Sequence, residues 1–370
     1  MKTLIKTLLE KTFKTQIRSF ELQKLCEHAS YRAYYRVSFQ IPSPLEGEGV
    51  RRTGEGPITL ILMQMPAGAS SVSEEITNYQ GKKEELPFIN IQRYLSSLGL
   101  PIPKIYAWDE ENKLMLLEDV GDQHLELYLK DASPELRISF YKRAIDLLVE
   151  MQKKTSFSPS PQPSPARGEG VIAFARNFDE TLLNWEFDHF LEYGIEDRFK
   201  IKIPESEKKV FTEITRQISK EIAASPYIFV HRDFQSRNLM MKDYQLYILD
   251  FQDALLGPQT YDLVSLTRDS YIELSPEAVE KLIDYFLEAR KKAGIEIQNT
   301  PAFKKLFYQN TLQRKLKDTG RFQFINTVKG NPSFLVSVPS SLRYVKQAFE
   351  KLPEYEELGK WIAGYVGELH

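Results

Sequence analysis

The feature that most constrains this sequence is a pair of short apolar segments, each followed at once by polar residues. The first segment, Tyr227 to Val230, leads into residues 231–233 (HRD), with Asn238 five residues beyond the aspartate. The second segment, Leu246 to Leu249, leads into Asp250. Both segments contain β-branched and aromatic residues, which predicts two strands. We therefore expect the polar side chains at strand ends and in the loop between them, where a rigid scaffold can hold a functional site.

The spacing of these polar residues suits phosphoryl transfer. A phosphoryl donor needs a divalent metal ion held by hard oxygen ligands, and the acceptor hydroxyl needs a carboxylate to accept its proton. In this pattern Asp233 is the predicted base, and Asn238 and Asp250 are the predicted ligands of Mg²⁺. We expect His231 and Arg232 to shape the loop. The alternative, that these residues only cap turns between two strands, is disfavoured because the pattern occurs in its expected strand context.

The same segment resembles the catalytic region of the aminoglycoside phosphotransferase-type kinases, which are relatives of the protein kinases. Residues 249–266 (LDFQDALLGPQTYDLVSL) resemble more particularly the branch that phosphorylates the anomeric hydroxyl of N-acetylmuramate and N-acetylglucosamine. That branch has Phe-Gln-Asp-Ala after the metal-binding aspartate and then a Gly-Pro-x-x-Tyr-Asp-Leu turn. Residues 312–322 (LQRKLKDTGRF) resemble its Gln-Arg-His-Leu-Lys segment, with Lys315 in place of the histidine and Arg314 as a candidate acceptor ligand.

The resemblance covers nearly the whole chain and implies a two-lobe, protein-kinase-like α+β fold. A small β-rich lobe (residues 1–118) would bind the nucleotide, and a larger helical lobe (residues 119–370) would carry catalysis and acceptor binding. The chain, 370 residues long, can form two such lobes. Two Pro- and Gly-rich inserts, 41–57 and 158–170, interrupt the resemblance. The first insert contains PSPLEGEGV and the second begins a similar segment, PSPARGEGV, and the two are identical at seven of nine positions. We expect both inserts in surface connections.

Candidate nucleotide-binding residues come from two places in the first predicted lobe. In the resembled family, the turn before the strand ending at Phe39 covers the nucleotide phosphates, and here Ser30, Tyr31 and Arg32 form that turn. The hinge between the lobes binds adenine through backbone groups, which implies Glu118 and Val120. On local pattern alone, the turn also fits an ordinary aromatic-rich hairpin, and the hinge a strand ending in an acidic turn.

One departure from the wider superfamily concerns the third strand. Most members carry a lysine there, paired with a glutamate from the next helix. In residues 58–66 (ITLILMQMP) the corresponding place holds Met63 or Gln64. The resembled sugar kinase branch also tends to lack this lysine, so the chain fits that branch better than it fits a protein kinase. We expect the metal ion to supply the missing positive charge, with Arg32 adding to it.

Candidate acceptor residues lie in two further segments. Trp185 and Glu186, in a helix predicted over residues 179–193, match a region that contributes to the acceptor-sugar pocket of the resembled branch. Aromatic faces stack on sugar rings and carboxylates bind hydroxyls, although Trp185 also fits a core position. Arg268 and Asp269 are candidates for binding an acidic acceptor, or alternatively for a buried ion pair that supports the loop.

Bulk properties exclude several other classes of protein. The formal net charge of −2 gives no reason to expect a nucleic-acid or membrane partner. The single cysteine, Cys26, excludes an intrachain disulfide and fits a reducing compartment, so cytoplasm is expected. No stretch approaches the roughly 20 apolar residues of a membrane span.

The expected activity is ATP- and Mg²⁺-dependent phosphorylation of a small hydroxylated acceptor, with the anomeric hydroxyl of an N-acetylated amino sugar as the leading candidate. Two alternatives stay open. One is a kinase of the same fold that acts on an aminoglycoside, choline or homoserine. The other is a nucleotide-binding pseudoenzyme that senses or scaffolds.

Overall fold

The computed structural model describes residues 1–25, 32–41, 57–66, 85–156, 170–295, 297 and 299–369. By its contacts the chain divides into two compact units, one of Met1–Val72 and Pro101–Gly121, the other of Ser73–Leu100 and Asp122–His370. Apart from their edge residues, both predicted inserts lie outside the described residues. None of the helices in the described part of the chain has the length and apolar character that crossing a membrane requires.

The first unit is built on an antiparallel sheet with strand order β1-β2-β3-β5-β4. These strands are β1 (Phe20–Lys24), β2 (Ala33–Phe39), β3 (Ile58–Gln64), β4 (Ile105–Asp109) and β5 (Leu114–Glu118). The helix Lys2–Phe13 buries Ile5, Leu8 and Leu9 in the same core as this sheet, as their helical spacing predicts. The unit therefore has its own hydrophobic core.

A buried ion pair joins the middle of this sheet to the turn that follows β5. Arg36 on β2 donates to both carboxylate oxygens of Asp119, at 2.7 and 3.1 Å. The Asp119 side chain is only 7% exposed and also accepts the Gly121 N–H at 3.0 Å. Burial raises the pKa of Asp119, but the hydrogen bonds from Arg36 and the Gly121 backbone outweigh it and leave the pKa below its ordinary value. The pair fixes the turn that contains the hinge candidates Glu118 and Val120.

The second unit holds two small sheets. In one, β7 (Tyr227–Val230) pairs antiparallel with β10 (Leu255–Pro258). In the other, β8 (Leu239–Lys242) lies between β6 (Gln123–His124) and β9 (Gln245–Ile248). The strand predicted at residues 227–230 is confirmed with the same bounds, and the one predicted at 246–249 begins and ends one residue earlier.

The remainder of the second unit is mainly helical. Its α-helices are Pro87–Ser97, Leu125–Tyr128, Pro134–Thr155, Glu180–His189, Glu205–Ala223, Tyr261–Thr267, Pro276–Ala293, Thr300–Lys329, Val338–Lys351 and Glu356–Tyr365, and a π-helical segment, Phe190–Asp197, continues the helix that ends at His189. The Ser133 hydroxyl caps the helix Pro134–Thr155 by accepting the Leu136 N–H at 3.2 Å.

The helix Thr300–Lys329, called the long helix below, differs most from its prediction. The sequence predicts a helix over residues 302–317, whereas the structure continues it for twelve more residues. Polar side chains along its middle, such as Gln313, Lys315 and Thr319, are buried together with the apolar ones. The helix therefore has no single apolar stripe from which its end could be predicted.

Breaking the Arg36–Asp119 pair is expected to destabilise the first unit. Arg36→Met leaves the Asp119 carboxylate buried without its cation, which typically costs about 3–5 kcal/mol. Urea denaturation followed by circular dichroism should show this as an earlier transition. The double variant Arg36→Met/Asp119→Leu removes both charges and should recover most of the loss. A wild-type midpoint for Arg36→Met would contradict the assignment.

Candidate active site

Hydrogen bonds join the predicted base to the segments that carry the two predicted metal ligands. The pairing of β8 with β9 places Asn238 and Leu249 side by side, and the Leu249 N–H donates to the Asn238 carbonyl at 2.9 Å. Asp250, the next residue, therefore lies at the same end of this hairpin as Asn238. The Asn238 Nδ2 donates to the Asp233 carbonyl at 2.8 Å. The site thus brings all three residues into one small region.

The carboxylate of Asp233 is held in its ionised form. Its Oδ1 accepts from Arg314 Nη2 at 3.0 Å, and its side chain remains 35% exposed. Burial raises the pKa of Asp233, but the positive charges of Arg314, Lys317 and Arg232 outweigh burial and lower the pKa to about 2. Asp233 is therefore an accessible proton acceptor with a fixed orientation.

His231 links the loop of Asp233 to the strand that leads to Asp250. Its buried ring donates from Nε2 to the Leu249 carbonyl at 2.8 Å and accepts the Asp233 N–H at Nδ1, at 3.2 Å. Burial lowers the pKa of His231 to about 4, so the ring is neutral in a single tautomer. Its contacts agree with a role in shaping the loop.

Arg232 adopts a backbone conformation that is uncommon outside glycine, with a φ of 79°. The Asp262 carboxylate binds the loop here, accepting the His231 N–H at 2.7 Å and the Arg232 N–H at 2.9 Å. The Arg232 carbonyl accepts from Arg314 Nη1 at 2.8 Å. These bonds offset a strain of about 1–3 kcal/mol. Burial raises the pKa of Asp262 to about 7, and the two N–H donors act against that rise.

Asp262 is a residue that the sequence reasoning missed as part of the site. The sequence resemblance gives Asp262 no role beyond its place in the Gly-Pro-x-x-Tyr-Asp-Leu turn. A signal was available, because Asp262 is the one charged residue of the helix Tyr261–Thr267. An acidic residue that is 1% exposed in such a place needs donors, and here they come from the catalytic loop.

The two candidate acceptor residues of the helix Glu180–His189 differ in exposure. Glu186 is fully buried, and its oxygens accept from Arg232 at 3.1 Å and from Gln313 at 2.5 Å. Trp185 is half-buried and stacks on His189, with ring centroids 5.2 Å apart. Contact of Trp185 with an acceptor stays a prediction. For Glu186 the contacts favour positioning of Arg232 over direct binding of a sugar.

Arg268 and Asp269 are both buried, and they contact different parts of the second unit. Arg268 lies among aromatic rings, 5.1 Å from the Tyr344 centroid, and donates to Gln347 at 2.5 Å. Asp269 accepts the Ser236 N–H at 2.8 Å and so supports the catalytic loop between Asp233 and Asn238. Direct contact of either residue with an acceptor stays a prediction. The burial of both side chains argues against such contact. The support of the loop by Asp269 agrees with part of the alternative interpretation.

Of the nucleotide candidates, Ser30 and Tyr31 lie outside the described residues, and Arg32 is half-buried just before β2. The Glu118 N–H already donates to the Lys104 carbonyl at 2.8 Å, and Val120 is 5% exposed. Met63 is fully buried in the sheet, so core packing occupies the place where a strand lysine was sought. Adenine binding by Glu118 and Val120 stays a prediction.

The residues present fit a magnesium ion. Because Asn238 uses its amide nitrogen on the Asp233 carbonyl, its side-chain oxygen is the atom left for a metal. Asp250 is exposed in a left-handed conformation, with a φ of 60°, and its Oδ1 accepts from Gln252 at 2.9 Å. An amide oxygen and a carboxylate at one end of a hairpin are hard ligands of the kind that Mg²⁺ prefers.

Comparison with known proteins agrees with this fold. The chain belongs to the phosphotransferase enzyme family, whose pattern matches residues 40–295, well over half of its length. It is therefore a kinase with a hydroxyl acceptor. Among solved structures it is similar to choline kinase from Cryptosporidium parvum, with a TM-score of 0.60 at 13% identity, covering 96% of this chain and 97% of that one. It is also similar to the ADP-bound aminoglycoside phosphotransferase APH(2'')-Ib, with a TM-score of 0.53 at 12% identity and coverage of 94% and 99%.

More particular similarity is found with two proteins named N-acetylmuramate/N-acetylglucosamine kinase. The protein from Pseudomonas putida is 29% identical over 278 residues, which is 75% of this chain and 77% of the relative. The protein from Neisseria meningitidis is 26% identical over 353 residues, or 95% and 92%. The expected family and the expected protein-kinase-like α+β fold are confirmed.

Removing Arg314 should change the pH dependence of the reaction. With a pKa of about 2, the Asp233 carboxylate limits the rate only near that pH, below the range of ordinary assays. Arg314→Gln removes the largest charge that lowers this pKa while burial remains. On the acid side of the profile, kcat/KM falls with falling pH. The pH at the midpoint of that fall should then move up, toward or above the ordinary aspartate pKa of about 3.9.

This shift is measured from kcat/KM between pH 3 and 9. Arg314→Lys, which keeps the charge, should retain the wild-type limb and shows whether the site still folds. Arg343→Gln is the control, because Arg343 pairs with Glu273 on the exposed surface. An unshifted limb in an active Arg314→Gln variant would remove Arg314 from control of Asp233.

Proposed function

We propose that this chain is an ATP- and Mg²⁺-dependent sugar kinase that phosphorylates the anomeric hydroxyl of N-acetylmuramate and N-acetylglucosamine. The observation that carries the proposal is the ionised, accessible Asp233, oriented by Arg314 and joined through Asn238 to the hairpin of Asp250. The named activity of the relatives from Pseudomonas putida and Neisseria meningitidis supports the acceptor. The ADP-bound relative supports the nucleotide.

The residues of the chain have distinct parts in this reaction. Asp233 orients the acceptor hydroxyl and accepts its proton as the hydroxyl attacks. His231 and Asp262 hold the loop backbone, so that the carboxylate does not have to reorganise during the reaction. Asn238 and Asp250 would hold the metal ion, which when bound supplies positive charge across the phosphates of ATP. We assign Ser30, Tyr31 and Arg32 to the phosphates and Glu118 and Val120 to adenine.

The charge near the base argues against two rival acceptors. Arg314 and Lys317 both act on Asp233, and Lys315 lies beside them on the long helix. Choline and aminoglycosides are cations, and they would meet these like charges close to the reacting hydroxyl. A neutral or anionic sugar meets no such repulsion. A pseudoenzyme is disfavoured because the base is ionised, accessible and oriented.

The proposed function predicts a definite acceptor profile. The purified protein with ATP and Mg²⁺ should release ADP with N-acetylmuramate and N-acetylglucosamine, and not with choline, homoserine or an aminoglycoside. Phosphorus NMR should show a phosphate coupled to the anomeric proton. Asp233→Asn should bind nucleotide as the wild type does and lose about 10²-fold or more in kcat, because the proton acceptor is gone. Turnover of choline or an aminoglycoside in place of the amino sugars would overturn the assignment.

The metal assignment predicts weak nucleotide binding when Asp250 is changed. Asp250→Asn keeps the shape and tolerates the left-handed backbone but loses the charge. In calorimetry with Mg²⁺ it should bind ATP about tenfold or more weakly, and adenosine as the wild type does. Asp243→Asn is the matched control, because Asp243 also has a positive φ, 48°, in the turn of the same hairpin. Equal loss in both variants would exclude a specific role for Asp250.

A further inference from the structure

The long helix continues the charged face that contacts the base. Arg314 binds Asp233, and Lys317 and Arg321 follow at positions i+3 and i+7 on the same helical face. Lys317 is half-buried, with 16% of its side chain exposed. Along the long helix, Lys317 lies three residues after Arg314, which binds Asp233, and three residues before Gly320, which packs against the His189 carbonyl. Its charge acts on both Asp233 and His189.

Positive charge at this place exceeds the nearby carboxylates that pair with it. Asp318 is shared by three cations: Lys315 at 2.8 Å, Lys317 at 3.4 Å and Arg314 at 3.9 Å. The second partner of Arg314 is Asp233, so three cations face two carboxylates. Two further buried acids lie nearby: Glu186 pairs with another cation, Arg232, and Asp269 accepts backbone N–H groups. An anionic ligand would balance the remaining charge.

An aromatic surface lies at the next turn of the same helical face, where the Arg321 guanidinium is 5.0 Å from the Phe324 ring centroid. Trp185 is stacked on His189 with an interplanar angle of 21°, and His189 also contacts Tyr193 and Phe324, at 4.7 and 5.4 Å between centroids. Trp185, Tyr193 and Phe324 are all half-buried and keep part of their faces accessible. Such faces suit the apolar side of a sugar ring.

His189 adds an unsatisfied polar atom to this surface. The residue is 6% exposed, and its Nε2 has no hydrogen-bond partner among the described residues. Burial, followed by the charges of Arg321 and Lys317, lowers the pKa of His189 to about 4, so the ring is neutral. A buried ring nitrogen usually has a hydrogen-bond partner, and the amide of an N-acetyl group is a suitable one.

Gly320 permits the two helices to approach closely at this point. A Cβ atom at Gly320 would lie 2.7 Å from the His189 carbonyl oxygen, which is closer than real Cβ contacts. Only glycine lets the long helix pass His189 at this distance. The cations and the aromatic surface are therefore held side by side by backbone packing.

We propose that Lys317 binds a carboxylate on the acceptor sugar, beside a ring stacked on Trp185, and so makes the enzyme prefer a carboxylated N-acetyl amino sugar over its neutral counterpart. This inference rests on the proposed function. In N-acetylmuramate the carboxylate is carried on the oxygen of C3, two ring carbons from the reacting anomeric carbon. Arg314 and Lys317 are one helical turn apart, about 5–6 Å between Cβ atoms, which matches a hydroxyl and a carboxylate on one sugar ring.

The test compares the two sugars in one set of variants. The selectivity ratio is kcat/KM for N-acetylmuramate divided by kcat/KM for N-acetylglucosamine. Lys317→Gln should lower this ratio about tenfold or more, mainly through a higher KM for the acid, because a charge-assisted bond is lost. Lys317→Arg should keep most of the preference. Lys360→Gln, at an exposed pair with Glu356, should leave the ratio unchanged.

Calorimetry with both sugars separates this inference from the proposed function. Tighter wild-type binding of the acid, lost in Lys317→Gln, supports the inference even if no turnover occurs, and only the proposed function then fails. Turnover of both sugars with the same ratio in wild type and Lys317→Gln overturns the inference alone. An equal fall in kcat for both sugars would place Lys317 at the transferred phosphoryl group and also overturn it. Wild-type protein that binds neither sugar overturns both.

Discussion

The contact on which the site most depends is the one between Arg314 and Asp233. The Arg314 side chain is 3% exposed, and its guanidinium binds the Asp233 carboxylate at 3.0 Å, the Arg232 carbonyl at 2.8 Å and the Tyr261 hydroxyl at 3.2 Å. One side chain thereby fixes the base, the loop backbone and the following helix. A charge buried this deeply is stable only with its partners, so the parts of the site stabilise one another.

The catalytic loop is held by carboxylates that stand outside the catalytic pattern. Asp262 binds the backbone at His231 and Arg232, and Asp269 binds it at Ser236. The backbone N–H groups of these three loop residues are buried in a strained loop and cannot pair within a helix or a sheet. Asp262 and Asp269 supply the hydrogen-bond acceptors that these buried N–H groups lack. The site therefore requires more residues than those that take part in the reaction.

The local sequence is sufficient to predict the bounds of elements that are marked by their own residues. The strand Tyr227–Val230 has the predicted bounds, because a run of apolar residues marks it. The contact between Arg314 and Asp233 joins residues 81 positions apart, and no local pattern contains it. Glu186 shows the same limit, since the sequence gives its residue type and not the burial that pairs it with Arg232.

The end of the long helix could not be predicted for a related reason. Its buried polar residues form a network with other elements, in which Gln313 binds Glu186 and Lys315 binds Ser270. Helix prediction relies on apolar residues to mark the buried face, and polar residues that are buried through hydrogen bonds erase that signal. The expectations for Ser30, Tyr31 and the two inserts stay predictions, because these residues, apart from the edges of the inserts, lie outside the described part of the chain.

The absence of a lysine on β3 follows from the packing of the first unit. Met63 is fully buried, and its backbone pairs with Tyr34 and Met115 on the two neighbouring strands. A lysine buried there would need a carboxylate partner to offset its desolvation. Glu85, just before the next described helix, instead contacts Arg93 of that helix. Methionine at this position fills the core without that desolvation cost.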